Sequence, residues 1–421
     1  VVRRYFDEPY TFVPPYPGKF WLRLARPFGP RYLRKNRNVH RCEFRGTEHL
    51  AASRAAGAGV LLTPNHCRWA DGSVVMQLGF ETKQELYFVV SAHIFRQKGW
   101  MPWLLRRMGC FSIWREGLDR ESLKACAEIL ARADRPLVLF PEGTWFRTND
   151  KLGPFQEGAT LMLSQALKAS DRPLHVLPVA MKYWLLADPW AEIDRRVTRL
   201  ERRVGWVAQP GRPVRPRLEK LGSAFLALRE IEFLGSPQVG TIDERIAGLA
   251  QAIVGDLEAK ALGKVQAGHT LERIRRVRQR LVRKLQDPIP PDEREATHHQ
   301  LDRLLFCENL RAHSQGYVRD HPSAERIAET LQRLEETLDD RDEIPVAPLG
   351  VVVQVGAPLD ARAILGGAAT SREGGSLLMA TLVKTIQGML DGLVAEGPPK
   401  SWPGFARPSV HETTSTPTIQ P

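Results

Sequence analysis

Between residues 40 and 190 short apolar runs alternate with amphipathic stretches. Val60-Leu61-Leu62, Leu86-Tyr87-Phe88-Val89-Val90, Phe111-Ser112-Ile113-Trp114, Leu137-Val138-Leu139-Phe140 and His175-Val176-Leu177 read as buried strands. The segment after Asp71 and those around 121–133 and 158–168 read as helices. Such alternation predicts an α/β fold, a largely parallel or mixed sheet flanked by helices. Beyond residue 194 the strand signals fade. Thr241 with Glu244 has the form of a capping box, followed by Ile246, Leu249, Ile253 and Leu257 at helical spacing. Leu271, Ile274, Val277, Leu281 and Leu285 form a second stripe; Pro322-Ser323 opens a third, with Ile327, Leu331, Leu334 and Leu338. Strand character returns at Val351-Val352-Val353-Gln354-Val355.

The expected organisation follows: an aromatic and basic arm over 1–40, a core over 41–193, and a large, mostly helical insertion over 194–347, before the last core strand. Residues 348–396 return to the core with a final strand and helix, and 397–421 read as a disordered tail rich in Pro, Ser and Thr. No internal repeat stands out. The arm interleaves Tyr10, Phe12, Tyr16, Phe20, Trp21 and Phe28 with Arg23, Arg26, Arg31, Arg34, Lys35 and Arg37. Two readings of it are open, a contact with a lipid interface or a strap over the core.

Composition narrows this picture in two ways. With 43% hydrophobic and 26% charged residues, the 421-residue chain can build a sizeable core, so general disorder is excluded. Its formal charge of +12 favours polyanions: phosphorylated ligands, anionic headgroups or nucleic acid. Cys42, Cys67, Cys110, Cys126 and Cys307 show neither zinc nor redox spacing, and so odd and scattered a set points to a reducing compartment. The first residues lack a signal-peptide stretch, and no run of about 18 apolar residues occurs. Any membrane contact is therefore expected to be peripheral, on the cytoplasmic face.

Three segments carry chemistry. Thr63-Pro64-Asn65-His66-Cys67-Arg68-Trp69-Ala70-Asp71 follows a buried strand and precedes a helix, where α/β folds place catalytic groups. Five residues apart on one helix, His66 and Asp71 would face apart. They meet if His66 lies in the turn before the helix, a turn that Asn65 suits as an N-cap type. A carboxylate on one imidazole nitrogen then leaves the other free as a general base. Leu139-Phe140-Pro141-Glu142-Gly143-Thr144 ends a strand in a turn able to hold polar or phosphate oxygens. Gly109-Cys110-Phe111-Ser112-Ile113-Trp114-Arg115 is a strand ending in a guanidinium suited to phosphate. Each has a plainer reading: a packing histidine, an ordinary loop, a surface ion pair.

Taken together and in order, these blocks resemble the glycerophospholipid (1-acylglycerol-3-phosphate type) acyltransferase family. Its Asn-His-x4-Asp block is similar to Asn65-His66 through Asp71, its Arg-ended strand to Gly109 through Arg115, and its Phe-Pro-Glu-Gly-Thr-Arg block to Phe140 through Thr144. Its Val-Pro-Val strand resembles Val176-Leu177-Pro178-Val179. Leu152 through Ala159 and Val351 through Pro358 resemble a connecting helix start and a closing strand. The resemblance implies that His66 deprotonates an acceptor hydroxyl, oriented by Asp71, and that the alkoxide attacks an acyl thioester without an acyl-enzyme. Donors would be acyl-CoA or acyl carrier protein, the acceptor a glycerolipid, with no cofactor and no metal. Asn65, Arg115, Glu142, Gly143, Thr144 and Arg147 would line the acceptor site. One departure stands out: Trp145 replaces the family arginine, with Arg147 the next cation.

Leu271 to Lys284 carries Arg273, Arg275, Arg276, Arg278, Arg280, Arg283 and Lys284 against one acid, Glu272. It suits an anionic membrane, or a bundle helix paired with Glu335, Glu336, Asp339 and Asp340. No nucleic-acid module supports the third option, so no nucleic-acid partner is expected. His298-His299 with Cys307 lacks a metal-ligand set, His93 and His175 read as structural, and Leu161, Met162 and Leu163 read as core. Beside the transferase stand three alternatives: another lipid or alcohol acceptor, a hydrolase, or a catalytically silent membrane- or polyanion-binding protein.

Overall fold

In the computed structural model, eight strands form one mixed sheet in the order β1-β7-β6-β2-β5-β3-β4, with β8 against β6. Residues 7–145, 147–156, 158–311, 316–339, 344–368 and 370–405 are described. Residues 1–6 of the arm, Glu157, Asp340 and the tail from 406 onward lie outside them. The chain runs through α1 (Phe20–Ala25), α2 (Gly29–Arg37), β1 (Val39–Arg45), α3 (Thr47–Ala55), β2 (Gly59–Pro64), α4 (Asp71–Glu81) and β3 (Tyr87–Ser91). It continues through α5 (Met101–Arg107), β4 (Cys110–Ile113), α6 (Arg120–Arg132), β5 (Leu137–Val138), α7 (Gly158–Ala169) and β6 (Leu174–Leu185). A helical series follows: α8 (Trp190–Arg203), α9 (Val214–Leu234), α10 (Ile242–Leu262), α11 (Thr270–Gln286), α12 (Pro291–Arg311), α13 (Tyr317–Asp320) and α14 (Ala324–Asp339). The last elements are β7 (Leu349–Val355), β8 (Leu359–Asp360), α15 (Ala361–Gly366) and α16 (Ser371–Glu396).

Contacts divide the chain into two compact units, 10–186 with 348–403 and 1–9 with 187–347 and 404–421. The first holds the sheet. β2 is buried along its whole length between β6 and β5, both parallel to it. Its unbroken apolar run is what a parallel strand covered on both faces requires. Leu123, Ile129 and Leu130 of α6 and Met162 and Leu163 of α7 join Leu61, Phe111 and Val176 in one cluster. Leu161, read as core from the sequence, is instead exposed, because its neighbours take the inward positions of α7.

The strand β6 outruns β2. Over Leu174–Val179 it pairs with β2, and over Val179–Leu185 with antiparallel β7. Past Pro64 its β2-facing edge has no strand partner, and two asparagine side chains supply one. Asn65 exchanges hydrogen bonds with the Met181 amide (2.7 Å) and carbonyl (3.1 Å). Asn149 does the same with Tyr183, at 2.7 Å each. Buried backbone groups thus stay paired where the ladder ends.

Two expectations at the C-terminal side need correcting. Residues 372–396 make a helix long and apolar enough to cross a membrane by length and composition; glycines and threonines dilute it, so it escapes a search for an unbroken apolar run. Its Leu378, Leu382, Ile386, Leu390 and Leu393 are buried and form clusters with β6, β7 and α7. At about 1.5–3 kcal/mol per buried aliphatic side chain, that stripe is a major part of the core. The first residues of the expected tail are also ordered against the sheet: Trp402 packs with Trp184 and Val352. It lies so close to Gly350 that a Cβ there would meet its ring at 2.4 Å.

The second unit is helical, and it contains the repeat that the sequence reading missed. Buried glutamates at 201, 230 and 258 each accept a backbone amide, from Gln209, Gln238 and Gln266, and an arginine, Arg217, Arg245 and Arg273. The period is about 28 residues, one helix and its turn. Each clamp closes a hairpin, α8–α9, α9–α10 and α10–α11. Glu, Gln and Arg recur at these positions, with a glycine two residues after each Gln (Gly211, Gly240 and Gly268), while most other positions differ, which hides the period. The third clamp also answers the question of the cationic helix α11. Its apolar stripe is buried, and Arg273, Arg278 and Lys284 pair with Glu258, Glu308 and Glu293. Glu335, expected to serve it, pairs with Arg196 and Arg199 of α8 instead. The capping box at Thr241 and Glu244 is present as expected.

Candidate active site

The loop from Asn65 to Ala70 leaves the end of β2 and wraps around the carboxylate of Asp71, the first residue of α4. Asp71 Oδ2 accepts the amides of Cys67 (2.7 Å) and Arg68 (2.8 Å) and receives Nδ1 of His66 at 2.8 Å. Because that oxygen is an acceptor throughout, the proton of the pair sits on Nδ1. In the neutral ring Nε2 is then the nitrogen without a proton, and the side chain keeps 24% of its surface exposed. Phe140 packs against the imidazole with centroids 4.4 Å apart. Asp71 itself is fully buried. The two residues therefore meet as the spacing requires, across the turn rather than along a helix.

The other oxygen of Asp71 accepts the phenol of Tyr183 at 2.7 Å. Tyr183 is wholly buried on β6, with the Arg68 guanidinium over its ring. Burial beside the Asp71 carboxylate holds its hydroxyl well above the usual phenol range, so it stays a donor. Sequence reasoning missed it, since a tyrosine in a long apolar strand carries no mark of function. A hydrogen bond to a charged group contributes about 1.5–3 kcal/mol. Tyr183→Phe is therefore expected to lower turnover about tenfold, leave KM for both substrates unchanged and preserve the fold. A fall in thermal stability without any change in turnover would assign Tyr183 to packing alone.

The residues that the resemblance assigns to the acceptor divide into two groups. Asn65 and Glu142 do not face a cleft. Asn65 is neither an N-cap nor exposed; its amide is wholly engaged by β6, as above. Glu142 is 1% exposed, and its oxygens accept the amides of His66 (2.7 Å) and Gly153 (2.8 Å). It ties the loop that carries the histidine to the turn after β5. Gly143 turns the chain at φ +70°, a region that disfavours any Cβ, and one placed there would press on Gln156. Arg115, exposed at the end of β4, donates to the Gly143 carbonyl. Thr144 is exposed on the same turn. Trp145 stands 6.2 Å from His66, ring to ring, and meets the half-exposed Trp69 edge to face at 5.1 Å. The Arg147 guanidinium lies 5.4 Å over Trp145. A cation is thus returned to the neighbourhood of His66 two residues late, carried on an indole.

Burial pushes the Glu142 carboxyl up to about 8, against the pull of the His66 and Gly153 amides. In the unfolded chain it titrates near the ordinary value of 4.5. The folded state therefore retains a proton that the unfolded state has lost between those two values. Stability from this site is full below pH 4.5 and is lost as pH rises to about 8. The melting temperature is expected to fall across that window in wild type and to fall less in Glu142→Gln. Equal slopes would remove Glu142 as the source.

The sheet of the first unit thus carries a histidine–carboxylate pair at the end of β2, with a cation-bearing turn beside it. Residues 41–182 match the family model described as Acyltransferase. Tyr183 lies one residue past the matched segment. A search of curated proteins finds no match to the chain. Among the described residues no cluster of three or more His, Cys, Asp or Glu could hold a metal; His298 meets Asp7 instead, at 2.9 Å.

Proposed function

We propose that the protein is an O-acyltransferase that moves a fatty acyl group from acyl-CoA or acyl carrier protein to a hydroxyl of a glycerolipid such as a lysophospholipid. The observation that carries this reading is the His66–Asp71 pair, with Nδ1 on the buried carboxylate and the imidazole partly exposed. Nε2 takes the proton of the acceptor hydroxyl as its oxygen attacks the thioester carbonyl. The C–S bond then breaks, and the imidazolium returns the proton to the departing thiolate. Asp71 supports the transient positive charge and holds the tautomer. No covalent acyl-enzyme and no cofactor enter.

Arg115, Thr144 and Arg147 are the side chains we assign to the acceptor end, around the Gly143 turn. Trp145 in the arginine's place favours an acceptor whose headgroup meets an indole and a displaced guanidinium. The test is thiol release from long-chain acyl-CoA with a panel of lysophospholipids and glycerol phosphate, repeated with acyl carrier protein. Release that depends on one acceptor class supports transfer to it. Release without any acceptor identifies a hydrolase, and none with either donor leaves a silent binding protein on the same fold.

A further inference from the structure

We propose that Arg68 is a positioning residue of the site: its buried guanidinium offsets the charge of Asp71 and so extends the working range of His66 as a base towards lower pH. The role in the reaction rests on reading His66 as the general base; the coupling of charges does not. Arg68 lies in the turn between the two members of the pair and is 5% exposed. Its backbone amide donates to Asp71 Oδ2 at 2.8 Å. Its guanidinium stands 5.5 Å over the ring of Tyr183. That phenol donates to Asp71 Oδ1 at 2.7 Å, and Asp71 is fully buried. A cation and a carboxylate therefore flank one buried phenol. Both fields reach its hydroxyl: beside the larger effect of burial, Asp71 raises the phenol's titration and Arg68 lowers it.

The shape of the loop does not account for this side chain. The amide that Asp71 receives comes from the backbone, and any residue but proline would supply it at position 68. A guanidinium taken out of water is costly unless opposite charge meets it, and Asp71 is such a charge in the same turn. Charge counting gives the consequence. With a neutral imidazole, Asp71 and Arg68 balance. When the imidazole takes a proton, the group carries a positive charge that nothing in it offsets. Without Arg68 the resting pair would be negative, and protonation would neutralise it and so be favoured. In a low-dielectric setting that difference is felt strongly. Arg68 thus keeps Nε2 available until the acceptor hydroxyl arrives. It also favours return of the proton to the thiolate sulfur once the C–S bond has broken.

Other charged and titratable groups face the imidazole from the elements around it. From the turn after β5, Glu142 accepts the His66 amide, and burial pushes its carboxyl up to about 8. Arg147 is carried on Trp145, whose ring stands 6.2 Å from the imidazole. Arg115 is exposed where it meets the Gly143 carbonyl, and water screens it. Behind the pair, Tyr183 of β6 stays a neutral donor, and the Cys67 thiol lies 3.8 Å from Asp71 Oδ1. Among these described groups Arg68 is the buried cation on the Asp71 side.

The experiment follows the His66 ring by NMR in the full chain with ring-labelled histidine, over about pH 5 to 8, where imidazoles titrate. Loss of one signal in His66→Ala assigns it. Arg68→Met is expected to raise the titration midpoint by about one unit, a tenfold change in the protonation equilibrium. Arg68→Lys, which keeps the charge, should return it to near the wild-type value. The same shift is expected in a Glu142→Gln background. Acceptor-dependent thiol release, measured in parallel, should show its acid limb displaced to higher pH by the same amount in Arg68→Met. An unmoved midpoint, an equal shift in Arg68→Lys, or a shift that vanishes in the Glu142→Gln background overturns the proposal. So does a uniform loss of release at every pH, which points to packing and not charge. Should Arg68→Met fail to fold by circular dichroism, Arg68→Gln carries the same test. A shifted midpoint without thiol release from either donor would sink the enzyme reading alone.

Discussion

His66→Ala is expected to lower acceptor-dependent thiol release by about three orders of magnitude, the usual contribution of a positioned general base. The expectation rests on how little else in the site can reach the proton of an acceptor hydroxyl. Asp71 is sealed beneath the loop, with one oxygen filled by two amides and the imidazole and the other by Tyr183. Glu142 is equally sealed and spends both oxygens on backbone amides. Among these groups only the imidazole reaches the surface, and Nε2 is its free nitrogen. The loop should survive the change, because Asp71 still holds the Cys67 and Arg68 amides and Glu142 still holds the amide of residue 66. Unfolding monitored by circular dichroism should therefore move little. Retention of most of the release by His66→Ala would remove the general-base mechanism, whatever the acceptor. Loss of release together with loss of the fold would be read against Tyr183→Phe, which leaves the imidazole in place.

Asp150→Ala is expected to cost about 3–5 kcal/mol of stability. Lys182 on β6 and Asp150 are both nearly inaccessible, at 1% and 4% exposure, and pair at 3.1 Å. The ammonium also sits 4.8 Å over the Trp184 ring. Removing the carboxylate leaves a cation in the core of the sheet with an aromatic face as its remaining neighbour in that pair. The Lys182→Met/Asp150→Leu variant removes both charges and should recover most of the loss, since an apolar pair of similar bulk has no desolvation penalty. Denaturant unfolding of the single and double variants measures the coupling directly. Single losses that simply add, with no recovery, would show that the pair is packing and not charge. The position gives the result functional weight: Asn149, the neighbour of Asp150, holds Tyr183, and Tyr183 holds Asp71.

Much of the first unit was legible. Val60 to Leu62, Tyr87 to Val90 and Phe111 to Ile113 are strands because unbroken apolar runs have no other use in a covered sheet, and the helices after Asp71 and around 121–133 follow from their periodicity. The meeting of His66 with Asp71 was legible as well, because spacing allows it in only one local geometry. The roles of Asn65 and Glu142 were not. Their sequence neighbourhoods suggested a ligand, yet each serves backbone that arrives from elsewhere, β6 for one and the Gly153 turn for the other. Tyr183 was invisible for the same reason: its partner Asp71 opens α4, far off in the chain, and nothing in a long apolar strand marks a hydroxyl that finds a buried acid. The Glu–Gln–Gly–Arg repeat of the helical unit fell below notice because only a few of about 28 residues recur.

Sequence alone determined the class of layer fold, the position of the loop that carries His66, the helical character of 194–347 and the departure at Trp145. These are properties of local pattern, since periodicity, turn chemistry and motif spacing act over a few residues. Tertiary structure decided which polar groups are consumed by the fold and which remain for chemistry. It put the carboxyl of Glu142 out of reach and stood Tyr183 behind Asp71. It also gathered Phe20, Trp21 and Trp103 on one face, and tied Arg273 and Arg278 of α11 to glutamates of neighbouring helices. Such outcomes depend on desolvation and on partners distant along the chain, and a buried polar group takes whichever partner the packed fold brings to it.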